Sequence, residues 1–271
     1  MSLPEPDILL RSADGAQVSL SRHGAHVLSW KTGSEATEEL FLSHTAEASP
    51  GKAIRGGIPV IFPQFSGLGH LPKHGFARTS IWEVGPVTED TAELFLRHSL
   101  STLALWPHAF EARLKVRCAG TELRISLRIS NTGAESFSFT CALHSYLRIS
   151  DITQTTVMGL QGLRYQDQAT GLEHFEDSPV ITFSGEVDRG YFGGGSRTIE
   201  VQSPGRSSTA TATGFPDAVV WNPGAVVGAK IGDLEAEGYQ RFVCIEAAAV
   251  AHPLVLEPGM SWEGSQILRT H

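Results

Sequence analysis

The chain has only three cysteines in 271 residues, Cys118, Cys141 and Cys244. They are odd in number, far apart and set in apolar runs, which argues against a disulfide frame or a thiolate metal cluster and marks them as reduced core residues. Basic residues are also scarce: 21 Lys and Arg stand against 29 Asp and Glu, a net charge of −8, with no basic stripe. Nucleic acid and anionic membrane surfaces are therefore not expected as partners, and an anionic ligand would need a local basic pocket working against the overall field. No apolar run approaches the length of a membrane span. Residues 1–7 have neither a basic n-region nor an apolar h-region, so the cytoplasm is the expected compartment. There is no phosphate-loop signature, no dinucleotide fingerprint after a strand and no Gly-x-Ser-x-Gly elbow, which leaves nucleotide-dependent and serine-hydrolase chemistry without support. Internal repeats, low-complexity tracts and charge blocks are missing too.

What the chain does have is period-two patterning. Phe110, Ala112, Leu114, Val116 and Cys118 alternate with Glu111, Arg113, Lys115 and Arg117, and the alternation resumes from Leu123 to Ile129 after a short polar turn. A further run carries Phe137, Phe139, Cys141 and Leu143 on one face. Similar short runs lie at Ile8–Arg11, Val18–Leu20, Val27–Trp30, Leu40–Leu42, Ala92–Leu96, Val180–Phe183, Val219–Asn222 and Phe242–Ile245. No segment shows a long helical stripe, and 28 Gly with 14 Pro suit many tight turns. The pattern predicts an all-β chain, a large antiparallel β-sandwich forming a single domain over residues 1–271, with an irregular insertion from Ser66 to Lys73.

Three stretches carry chemistry. Arg55-Gly56-Gly57 and Arg78 offer guanidinium forks that match phosphate oxygens, with glycines that would let backbone approach a ligand; the alternative is ordinary ion pairing of both arginines. Period two places His144 on the face opposite Phe139, Cys141 and Leu143, where it could floor a polar cleft or serve as a hydrogen-bonded structural residue. Glu246 is a lone carboxylate in Phe242–Ala251, and an unpaired buried carboxylate is costly, so it should be functional or matched by a cation such as Arg241 or Arg148. His70 and His74 are four apart, but Pro72 intervenes and no third ligand is near, so no metal site is expected.

In order along the chain, Ile54-Arg55-Gly56-Gly57-Ile58-Pro59, His74-Gly75-Phe76-Ala77-Arg78, Leu143-His144-Ser145-Tyr146, Glu186-Val187-Asp188-Arg189, Val220-Trp221-Asn222-Pro223 and Val243-Cys244-Ile245-Glu246 resemble the glucose-6-phosphate 1-epimerase branch of the aldose 1-epimerase superfamily. Leu256-Glu257-Pro258-Gly259 and Trp262 resemble its closing strand. The resemblance implies a sandwich of the galactose-mutarotase type that interconverts the α and β anomers of a sugar phosphate without metal or organic cofactor. By matching motifs it implies Glu246 as general base, His144 as general acid and His74 as a second histidine at the sugar. Arg55 and Arg78 would hold the phosphate and Asp188 the sugar hydroxyls.

The chain departs from the family pattern in three places. Lys73 stands where Gln is frequent and would add a cation at the substrate, Gly224 stands where a second Trp is frequent, and Ala247-Ala248 replaces Pro-Gly. The expected partner is a small-molecule sugar phosphate, and the protein is expected to be a monomer. Two rival functions are mutarotation of unphosphorylated aldoses and carbohydrate binding without turnover.

Overall fold

A computed structural model describes residues 4–271, and its strands follow the period-two runs closely. The alternating segments at Phe110–Ala119 and Glu122–Asn131 form an antiparallel hairpin whose apolar positions are fully buried. They lie in a nine-stranded sheet ordered Val180–Ile181, Thr156–Met158, Ile199–Ser203, Arg206–Thr213, Ser261–Thr270, Glu122–Asn131, Phe110–Ala119, Thr91–Arg97 and Glu83–Val87.

Opposite it is a seven-stranded sheet ordered Leu172–Phe175, Arg164–Asp167, Val187–Tyr191, Asp217–Asn222, Phe242–Leu256, Phe137–Arg148 and Val60–Ile61. A four-stranded sheet from Ile8 to Glu38 caps one side. All strand pairs are antiparallel, and one apolar cluster joins the inner faces, including Leu114, Ile125, Phe139, Leu143 and Ile245. The fold is a large antiparallel β-sandwich.

Helices are few and short. Leu100–Leu105 is opened by a Ser99 capping box, and Gly224–Gly228 follows Pro223. The segment Ser66–Lys73 is irregular, as its Gly and Pro content predicts. Cys118, Cys141 and Cys244 are buried free thiols.

Two runs differ from expectation. Leu40–Leu42 is not a strand but a pair of isolated bridges, to Leu147 and Gly56, because its amides serve different neighbours: Leu40 N–H donates to the Glu38 carboxylate and Phe41 N–H to Tyr146 O. The run starting at Phe242 extends to Leu256, since the small residues Ala247–Ala249 pair fully with the Cys141–Leu143 segment.

The strand Phe137–Arg148 shows the division that matters. Its odd residues Cys141, Leu143 and Leu147 enter the inter-sheet core, whereas Ala142, His144 and Tyr146 lie on the other, concave face. Antiparallel register then sets His144 directly opposite Glu246, and Glu246 directly opposite Val219 on the next strand.

Candidate active site

His144 Nε2 and Glu246 Oε1 are 3.2 Å apart, a proximity that follows from their being cross-strand partners. Both are buried, and His144 Nδ1 and Glu246 Oε2 have no hydrogen-bond partner within the protein. Neither cation proposed from sequence as a match for Glu246 reaches it: Arg148 Nε donates to Leu40 O and Arg241 Nη1 to Ser150 O. Burial pushes the Glu246 carboxyl well above the usual carboxylate range, with Asp188 adding to the rise and Arg78 opposing it. Burial likewise drives the His144 imidazole well below its ordinary value, and the nearby His74, Arg55 and Arg78 push in the same direction. Each group is thus held toward its neutral form, and the two together carry one transferable proton over two sites.

His74 lies beside this pair, its ring centroid 6.0 Å from that of His144. Its own backbone is left-handed at φ +68°, unusual for a residue with a side chain, and the next residue, also at +68°, is glycine, where a Cβ would sit 2.3 Å from Phe62 O. Reciprocal bonds hold the turn: His74 N–H donates to Ser66 O, and Ser66 N–H donates to His74 Nδ1. Because an amide can only donate, Nδ1 is the acceptor and the ring proton is on Nε2. Burial, then Arg78 and Lys73, lower this imidazole to about 3.

The basic residues surround the same cavity, which also takes in Lys73 and Asp188. Arg55 is engaged twice, Nε donating to Asp233 at 3.1 Å and Nη1 to the Tyr146 hydroxyl at 3.0 Å. Arg78 donates from Nη2 to Lys73 O, while its buried Nε has no partner. Asp188 is pushed up to about 6, chiefly by burial and then by Glu186, with Lys73 opposing. All seven residues singled out from sequence, namely His144, Glu246, His74, Arg55, Lys73, Arg78 and Asp188, line this one cavity.

The glycines beside Arg55 have a different job from the one expected. Gly56 and Gly57 do not approach the cavity: Cβ atoms there would sit 2.4 Å from Phe41 O and 2.2 Å from Val27 O, so they allow close packing against the neighbouring chain. His26 Nε2 also donates to Gly56 O at 2.8 Å, tying that turn down from beneath.

Under the floor, on the core side, lies a polar tie. Ser145 Oγ donates to Gln266 Oε1 at 2.6 Å, and Gln266 Nε2 donates to Ile245 O at 2.9 Å. Gln266 belongs to the opposite sheet, so it fastens the residue after His144 and the residue before Glu246 to a single side chain.

The sequence profile of the aldose 1-epimerase family matches residues 6–269. The chain belongs to that family. A relative from Cenchrus ciliaris that carries the provisional name glucose-6-phosphate 1-epimerase is 37% identical over 95% of this chain and 82% of its own. One from Escherichia coli with the same provisional name is 32% identical over 91% of this chain and 84% of its own. A crystal structure from Salmonella typhimurium, provisionally described as a mutarotase, superposes with a TM-score of 0.86 at 28% identity, covering 97% of this chain and 89% of that one. A galactose mutarotase-like protein from Lactobacillus casei, 13% identical, shares the fold with a TM-score of 0.78 over 97% of this chain and 99% of its own.

Within this epimerase, sequence reasoning missed three cavity neighbours, Trp221, Gln168 and Asp233, and gave no role to a fourth, Tyr146, which period two places on the His144 face. Tyr146 stacks on the His144 ring at 4.9 Å and Trp221 meets its edge at 5.6 Å, so both fix its orientation. Asp233 lies in an irregular loop, where no local pattern points toward Arg55.

Proposed function

We propose that this epimerase is a hexose-6-phosphate mutarotase, with glucose 6-phosphate as the expected substrate. The observation that carries the proposal is the shared cavity: an in-register His144–Glu246 pair at 3.2 Å with three cations, Arg55, Lys73 and Arg78, around it. The provisional names of the relatives point the same way.

Starting from the ion pair reached when the Glu246 carboxyl passes its proton to His144 Nε2 across 3.2 Å, Glu246 takes the proton from the anomeric hydroxyl while His144 delivers one to the ring oxygen, which leaves both groups neutral. The C1–O5 bond breaks, an open-chain aldehyde forms, rotation about C1–C2 follows, and reclosure returns both protons. The neutral pair and the ion pair contain the same number of protons, so the cycle needs no exchange with solvent. Positioned acid and base groups of this kind each contribute about 10² to 10⁴ in rate. His74, protonated on Nε2, donates to a sugar oxygen, and Asp188 accepts from a hydroxyl. The free edge of Arg78, with Lys73 and Arg55, meets the phosphate.

Exchange NMR or polarimetry tests the proposal. Anomer exchange should be accelerated for glucose 6-phosphate far more than for glucose or galactose. Equal acceleration of free and phosphorylated sugars would favour an aldose mutarotase, and no acceleration of any of them would leave a sugar-binding protein.

A further inference from the structure

The catalytic cavity does not end at Glu246. The strand register continues the His144–Glu246 row across the seven-stranded sheet through Val219, Gly190, Gln166 and Glu173, each directly opposite the next. Above this row lies a second cavity of about 600 Å³. It shares Phe65 and Gln168 with the first, whose volume is about 160 Å³. The two form one groove, with the basic residues around the catalytic pair and the larger trough beyond Glu246.

Gly190 is the decisive residue. It sits inside the Val187–Tyr191 strand, on the same face as Asp188, where glycine weakens a strand. Its φ is not left-handed, and a Cβ placed there would meet nothing closer than Gln168 Nε2 at 3.7 Å. Neither backbone conformation nor packing calls for glycine. What the missing side chain provides is open floor beside Val219.

We propose that the trough seats a second sugar ring, so that the substrates include a reducing disaccharide phosphorylated on its reducing hexose. The second ring would be linked through a non-anomeric hydroxyl, since C1 must remain free at Glu246. The lining suits a pyranose: Phe65 and Phe192 offer flat apolar faces, Val219 and Val250 an apolar floor, and Gln166 and Gln168 amides for hydroxyls. Gln168 Nε2 already donates to Gln166 Oε1, which holds both amides at the wall. A purely apolar occupant would leave those amides unmatched. The proposal rests on the mutarotase activity proposed above.

The test compares glucose 6-phosphate with maltose carrying phosphate on C6 of its reducing glucose, in the wild type and in Gly190→Val. Valine is a good strand residue and has room at this position, so the variant should fold with an unchanged melting temperature. Exchange NMR should show both substrates accelerated by the wild type. In Gly190→Val, kcat/KM for the disaccharide phosphate should fall by about 10- to 100-fold while glucose 6-phosphate stays within about twofold. Wild-type turnover of glucose 6-phosphate with none of the disaccharide phosphate would overturn the trough and leave the mutarotase activity standing, as would equal losses on both substrates in the variant. If neither substrate is turned over, the activity itself fails, and saturation transfer to the non-reducing ring decides the trough: transfer abolished by Gly190→Val supports it, and absence of transfer to the wild type overturns it.

Discussion

The two faces of the strands carrying His144 and Glu246 are built to opposite rules. On the core side Leu143 and Ile245 are fully buried in apolar packing, and the polar atoms present, Ser145 Oγ and the Gln266 amide, satisfy one another. On the concave side, one residue away along each strand, His144 Nδ1 and Glu246 Oε2 are buried without partners, as is Arg78 Nε from the turn that borders the same cavity. Native interiors rarely leave such atoms unmatched, so on the proposed function the contrast divides groups that hold the sandwich from groups that would meet the sugar phosphate. Substitutions on the concave face should cost activity and spare stability, and substitutions on the core face should do the reverse.

The sharpest break of that contrast is Glu246→Gln. The amide is nearly isosteric but takes no proton, so anomer exchange should fall by about 10² to 10⁴. Thermal unfolding should show no loss of stability, because a buried carboxylate with a free oxygen has been removed. Near-normal exchange in the folded variant would take Glu246 out of the mechanism. His144→Asn should give a comparable loss by the same assay.

Next comes Arg78→Ala, which should raise KM for a hexose 6-phosphate by about 10- to 100-fold, the worth of a charge-assisted hydrogen bond, and leave the free hexose unaffected. Arg55→Ala should have the smaller effect, since Asp233 and Tyr146 already occupy that guanidinium. Steady-state kinetics on paired substrates separates the two, and equal losses on free and phosphorylated sugar would mean that the arginines support the fold instead.

On the core face, Gln266→Leu should leave Ser145 Oγ unmatched and remove the second bond to Ile245 O, lowering stability by on the order of 1 to 2 kcal/mol in urea titrations. Adding Ser145→Ala should recover part of the loss; failure to couple would deny the tie between them.

The smallest effect is a pH dependence. Asp188 binds its proton more tightly folded, at about 6, than its ordinary 3.8, so its contribution to stability is present below pH 4 and lost as pH rises through about 6. Asp188→Asn should therefore melt higher than wild type at pH 7, with the gap closing toward pH 4. His74 has the opposite sign: lowered from 6.5 to about 3, it loses stability as pH falls through that range.

Sequence alone carried the fold a long way because strands buried on one face announce themselves by alternation, as Phe110–Cys118 and Leu123–Ile129 do. It failed at Leu40–Leu42, whose apolar residues answer to three different neighbours, and it shortened the strand beyond Ile245, where small residues on both faces erase the alternation. In the site, Glu246 stood out because a carboxylate among apolar neighbours has no cheap structural use. His144 emerged by parity, yet the pairing of the two could not be read locally, since strand register is a long-range property. Gly56 and Gly57 were read toward a ligand when they in fact face Phe41 and Val27. Asp233 lay beyond reach because its role depends on a contact with Arg55 across 178 residues of chain.

That last contact makes Asp233 a resident competitor. Tethered beside Arg55, its carboxylate has an effective concentration in the millimolar range or above, so a free anion must outcompete a ligand that never diffuses away. Singly charged anions are poorly placed to do so, whereas a phosphate dianion that also reaches Arg78 and Lys73 gains from several cations at once. On the proposed function, the loop acid would act as a selectivity filter for charge and multidentate fit. Removing it as Asp233→Asn should tighten hexose phosphate binding and, at the same time, make the enzyme sensitive to inhibition by chloride or acetate.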